Sequence, residues 1–159
     1  MGHSAGAHLA ALVAVDQRYM EAEKLSPQCL KGVILLDGAG YDIPRQMDKL
    51  PRFGMLSRWY RNAFSDTLAL QQDASPVLRV VSGKKVPPFL MFYVASRADA
   101  REQNDLLSGE LLCHGYQAVV VPVKDKSHRT INQELGQPDD PVTQRILQFI
   151  IPPPSAASP

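Results

Sequence analysis

The sequence predicts an α/β fold, a mostly parallel sheet of about three strands flanked by helices. Two observations carry this. Short apolar, β-branched runs recur at residues 31–36, 89–95 and 118–123, each bounded by turn residues. Between them lie longer segments with helical composition and helix-stop signals.

From the start, Leu9–Val15 continues an Ala/Leu/Val-rich stretch from Ala5 without a breaker, which predicts a buried helix. The run Lys31-Gly32-Val33-Ile34-Leu35-Leu36 ends at Asp37-Gly38-Ala39-Gly40 and reads as a buried strand followed by a turn. Residues 45–72 carry Met47, Leu50, Phe53, Met55, Leu56, Trp59, Tyr60, Phe64 and Leu68 at irregular spacing. This predicts two short cap-like helices covering something apolar, with ordinary core packing as the plain alternative. Pro87-Pro88 opens the second strand, Phe89–Ala95. A helix from about Arg101 to His114 follows, stopped by Gly115. Ala118–Val123 is the third strand, and its Pro122 predicts a sheet edge or bulge. The last helix opens at Asp139-Asp140-Pro141, with proline at the first helical position and acids at the positive end. It runs to Ile150. One domain is expected over 1–151, followed by a disordered Pro/Ser/Ala tail at 152–159.

Composition excludes several classes of partner. The net charge is +1 and the basic residues are scattered, so no nucleic-acid footprint is predicted. No apolar stretch reaches the roughly 20 residues of a membrane span, and the N-terminus lacks the basic segment and cleavage site of a signal peptide. Cys29 and Cys113 lie far apart with no short-spaced ligand partner, so no metal or cofactor is implied. The compartment is left open, with the cytoplasm as default.

Gly2-His3-Ser4-Ala5-Gly6 matches the Gly-x-Ser-x-Gly pattern, in which a serine on a strained strand-to-helix turn exposes its Oγ. Glycines there let backbone pack where a side chain would clash. Ala5 would open the helix with its N–H free for a developing oxyanion. In this arrangement the acid and the histidine follow the serine in that order, in loops after later strands. Asp99 follows the second strand and is the expected acid; Asp37 also follows a strand and competes with it. His128 follows the third strand and is the expected base. Asp125 is read as loop support and His114 as a helix-end residue. His3, Tyr41 and Trp59 are candidate substrate-pocket residues.

Taken together, Gly-His-Ser-Ala-Gly-Ala-His-Leu at 2–9, Gly-Val-Ile-Leu-Leu-Asp-Gly-Ala-Gly-Tyr-Asp at 32–42, Ala74-Ser75-Pro76 and Ser127-His128-Arg129-Thr130-Ile131-Asn132 resemble the carboxylesterase and lipase branch of the α/β-hydrolases. The resemblance is to bacterial esterases related to hormone-sensitive lipase and to arylformamidase. It covers residues 1 to about 150 and implies Ser4, Asp99 and His128 as the triad. It also implies a small-molecule ester substrate, with an arylformamidase-like amide as the alternative. Members of that family carry several strands and a His-Gly-Gly loop before the elbow. The chain is therefore expected to be a C-terminal part of an α/β-hydrolase domain. It should lack the strand that feeds the elbow, and it should be weakly active or an inactive module. An unpaired sheet edge and self-association are expected to follow.

Overall fold

The computed structural model of the protein describes residues 1–151, and the tail expected to be disordered lies outside the described residues. Four parallel strands form one sheet in the order β1 (Gly2–His3), β2 (Val33–Leu36), β3 (Phe89–Val94) and β4 (Ala118–Val123). The sequence predicted the last three. The strand expected to be missing before Ser4 is present in short form, because Gly2 and His3 pair with Leu35 and Leu36.

β2 and β3 are buried along their whole length, which is why they read as unbroken apolar runs rather than as an alternation. β4 lies at the end of the sheet and is only partly covered. Its Pro122 stands opposite Tyr93, where the missing N–H costs least on the strand's open side.

Helices cover both faces. On one side α1 (Ala5–Val15) and α6 (Ala98–Cys113) pack Ala7, Ala11, Val15, Leu107 and Leu111 against Leu35 and Met91. On the other, α7 (Thr130–Gln133) and α8 (Pro141–Ile150) bring Ile131, Val142 and Ile146 onto Leu36, Leu90 and Phe92. Each Val, Leu, Ile, Met or Phe side chain among them contributes about 1.5–3 kcal/mol on full burial. α8 begins as expected, with Asp140 accepting the Thr143 N–H at 2.8 Å and Pro141 at the first helical position.

The helices differ from the sequence reading in four places, one being α7 itself, which the sequence did not predict. A short α2 (Arg18–Ala22) follows α1. The segment 45–72 holds three helices rather than two: α3 (Ile43–Lys49), α4 (Met55–Phe64) and α5 (Leu68–Asp73). Pro51 and Gly54 separate α3 from α4, and Ser65, at φ 64°, ends α4 before α5. α6 starts three residues before the expected Arg101, since the chain turns directly out of β3 at Ala95–Arg97.

Candidate active site

Ser4 sits between the last residue of β1 and the first of α1, at φ 55° and ψ −122°. This left-handed conformation costs a non-glycine residue on the order of 1–3 kcal/mol. The surrounding structure holds it: the Ser4 N–H donates to the Leu36 carbonyl at 3.0 Å, extending the β1–β2 pairing, while the Ser4 carbonyl accepts from Ala7 at 3.0 Å. Gly2 is required sterically, since a Cβ there would lie 2.1 Å from the Gly6 carbonyl oxygen. Gly6 is not, because nothing lies within 4 Å of a Cβ at that position. Ala5 opens α1, and the first N–H groups of a helix have no intrahelical acceptor.

His128 lies in the turn between β4 and α7, with its side chain 43% exposed. Reciprocal bonds shape that turn: the Ser127 N–H donates to Thr130 Oγ1 at 2.9 Å, and the Thr130 N–H to Ser127 Oγ at 3.1 Å. Lys126 ties it to the end of α7 through Glu134 at 2.7 Å and to the start of α8 through the buried Asp140 at 2.5 Å. His128 Nε2 faces Ser4 Oγ at 3.0 Å.

On the other side of the ring, Nδ1 meets Asp37 Oδ2 at 2.6 Å. Asp37 follows β2, and its carboxylate is fully buried. Its Oδ1 accepts the Val94 N–H at 2.8 Å and its Oδ2 also accepts from Arg97 Nη1 at 2.6 Å. Burial pushes the Asp37 carboxyl up, but the bonds from Val94, His128 and Arg97 outweigh it and hold the group below the usual carboxylate range.

The structure brings Asp37, not the expected Asp99, against His128. Asp99 does not reach His128; its Oδ2 accepts from Arg97 Nη2 at 2.8 Å, and the guanidinium stands between the two. Asp99 is in the first turn of α6, on the rim of the site, whereas the short turn after β2 aims Asp37 inward. Asp37 was the competing candidate in the sequence.

Two pocket candidates are also placed elsewhere. The His3 ring lies against His128, centroids 4.6 Å apart, and its Nε2–H donates to the His128 carbonyl at 2.6 Å. Tyr41 is fully buried in the core with its hydroxyl beside Gly38, and burial drives that hydroxyl far above its ordinary range. Trp59 does line a cavity of about 430 Å³ that opens onto Ser4, Ala5 and His128. Leu56, Tyr60 and Phe64 from α4 complete its apolar wall. Phe53, read with them in the sequence, is 83% exposed and outside it.

Sequence reasoning missed Arg97, Gln46 and His8, which reach the same cavity. An arginine two residues before an aspartate carries no motif. His8 is buried beneath the cavity, donates to the Ala74 carbonyl at 2.8 Å, and is held below its ordinary value by that burial. Among the described residues no group of three or more His, Cys, Asp or Glu side chains is placed to hold a metal ion, and no helix is long and apolar enough to cross a membrane.

No protein-family model and no curated protein matches the sequence. Solved structures do. Thermogutta terrifontis esterase 2 phosphonylated by sarin superposes with a TM-score of 0.66 at 21% identity, over 94% of this chain and 52% of that one. A Pyrobaculum calidifontis esterase gives 0.64 at 22% identity, over 93% of this chain and 50% of that one. Esterase B from Lactobacillus rhamnosis gives 0.55 at 20% identity, over 77% of this chain and 40% of that one.

The chain has part of an α/β-hydrolase fold. It spans about half the length of the first two esterases. At these identities the likeness is one of fold, and the chemistry is argued from the site.

Proposed function

We propose that the protein is a serine hydrolase acting on carboxylic esters, with Ser4 as nucleophile, His128 as general base and Asp37 as the acid that orients it. The observation supporting this best is the unbroken line Ser4 Oγ, His128 Nε2, His128 Nδ1, Asp37 Oδ2, with steps of 3.0 and 2.6 Å across the two polar contacts. The strained turn that exposes Ser4 at a helix N-terminus agrees with it.

In this reading Ser4 Oγ attacks the ester carbonyl as its proton passes to His128 Nε2. The negative charge formed on the carbonyl oxygen is met by the Ala5 N–H. Asp37 stabilises the imidazolium without taking its proton. Collapse breaks the bond to the alcohol oxygen, which leaves with the proton from Nε2, and an acyl-Ser4 ester remains. Water, deprotonated by the same nitrogen, then releases the carboxylic acid and restores Ser4. The cavity beside Trp59, Tyr60 and Phe64 would take the apolar portion of the substrate.

The test is turnover of p-nitrophenyl acetate with stopped-flow detection of a burst, together with labelling by a fluorophosphonate. A burst and labelling at Ser4, both abolished in Ser4→Ala, are expected. Turnover unchanged in Ser4→Ala would overturn the reading. A folded chain that neither turns over ester nor labels would favour an inactive module.

A further inference from the structure

Arg97 is a guanidinium inserted where the serine–histidine–acid line would ordinarily meet only a carboxylate. Its Nη1 donates to Asp37 Oδ2 at 2.6 Å and to the Asp37 carbonyl at 3.2 Å, and lies 2.8 Å from His128 Nδ1. Its Nη2 donates to Asp99 Oδ2 at 2.8 Å. One cation thus shares the carboxylate oxygen that His128 uses. The side chain is 27% exposed, so water screens it only in part.

We propose that Arg97 is a positioning residue for this reaction: it clamps Asp37 against His128, and its charge opposes formation of the His128 imidazolium. The inference rests on the serine-hydrolase reading for its meaning, but not for its test. Electrostatics give the sign. A cation next to the ring disfavours a second positive charge there, whereas Asp37 favours it. Asp99 draws charge from the far side of the guanidinium and softens the first effect. The other titratable groups around the ring are His3 on β1, which stacks on it, and Tyr60 and His8 across the cavity. None of these places a permanent cation beside Nδ1. Arg97 does so in every state of the site, since its own proton is held more firmly than usual by Asp37 and Asp99 despite burial.

The consequence is a ring whose proton exchange with Ser4 is governed by a cation and an anion together rather than by Asp37 alone. The carboxylate itself is kept in place by two donors besides His128, the Val94 N–H and the guanidinium.

The experiment is a proton NMR titration of the His128 ring in the full chain, assigned by its loss in His128→Gln, run beside the pH–rate profile for p-nitrophenyl acetate. Arg97→Met is expected to move the His128 midpoint, and the acidic limb of the profile, upward by about one pH unit. Arg97→Lys, which keeps the charge, should stay within a few tenths of a unit. Asp99→Asn, which unmasks the guanidinium, should move the midpoint the opposite way by a smaller amount. Should Arg97→Met fail to fold, Arg97→Gln, which also removes the charge but keeps a polar head, supplies the sign. A midpoint unmoved in both charge-changing variants, with only turnover reduced, would show a purely structural clamp and overturn the proposal, as would a downward shift in Arg97→Met. The titration needs no turnover, so failure of the esterase reading would appear separately, as activity that survives Ser4→Ala.

Discussion

Asp37 and His128 meet at 2.6 Å across 91 positions of the chain, and nothing in their local sequence announces the contact. It exists because β2 and β4 both end on the same edge of a parallel sheet, with only β3 between them. The same geometry puts Asp99 beyond Arg97, where it faces a guanidinium instead of an imidazole.

Exchanging the two acids therefore separates the assignments. Asp37→Asn should lower turnover by on the order of 10³–10⁴, the loss seen when a histidine is left with the wrong orienting partner. Asp99→Asn should cost far less. Steady-state kinetics on both variants, with circular dichroism to check folding, decides it. A larger loss in Asp99→Asn would return the acid role to Asp99.

The two glycines that flank the Ser4 turn should behave in opposite ways. Gly2→Ala forces a Cβ to within 2.1 Å of backbone at Gly6, so something must shift. A loss of about 1–3 kcal/mol and reduced fluorophosphonate labelling are expected. Gly6→Ala meets nothing within 4 Å and lies inside α1, where alanine is favoured over glycine by up to about 1 kcal/mol. Thermal unfolding of the two variants should move in opposite directions.

The pocket wall should affect substrate preference rather than chemistry. Trp59→Ala removes part of the apolar surface facing Ser4, although the ring is 55% exposed, so only part of its burial energy is at stake. A rise in KM of about three- to tenfold for butyrate or aryl esters, with little change for acetate, is expected. Equal effects on all acyl groups would place the substrate elsewhere.

Stability should fall on acidification. Asp16, Asp37 and Asp140 are each held below the ordinary carboxylate range; burial opposes this in all three, and hydrogen bonds to Arg18, to Val94, His128 and Arg97, and to Lys126 and Thr143 outweigh it. A lowered folded value means that the unfolded chain takes up protons first. The stabilisation is therefore complete above about pH 5 and is lost as pH drops through the unfolded and then the folded values. Lys126→Met removes the cation beside Asp140, and should cost about 1–3 kcal/mol near neutrality. It should also flatten the acid dependence of Tm between about pH 5 and 3.

Much of this protein was legible along the chain. β2 and β3 announced themselves because strands buried on both faces must be apolar throughout, and β4 because its Ala-Val-Val-Val run is β-branched and bounded by turn residues. α8 did so because an aspartate cap followed by a proline satisfies a helix start only in that order. Ser4 and His128 were readable as candidates because each has a local signature: a small-residue turn before a helix, and a polar loop after a late strand. These are local demands, and local sequence meets them. The acid was different. Asp37 and Asp99 both follow strands, and the choice depends on where a guanidinium two residues from Asp99 comes to rest. Tyr41 and His3 likewise had the right chemistry and proximity in sequence. One is drawn into the core by burial, and the other turns to bond the His128 backbone. Composition and spacing determined which elements form and which residue types carry the chemistry. Only packing decided which carboxylate touches the histidine, since that contact depends on the sheet's strand order and on Arg97 occupying the space between them.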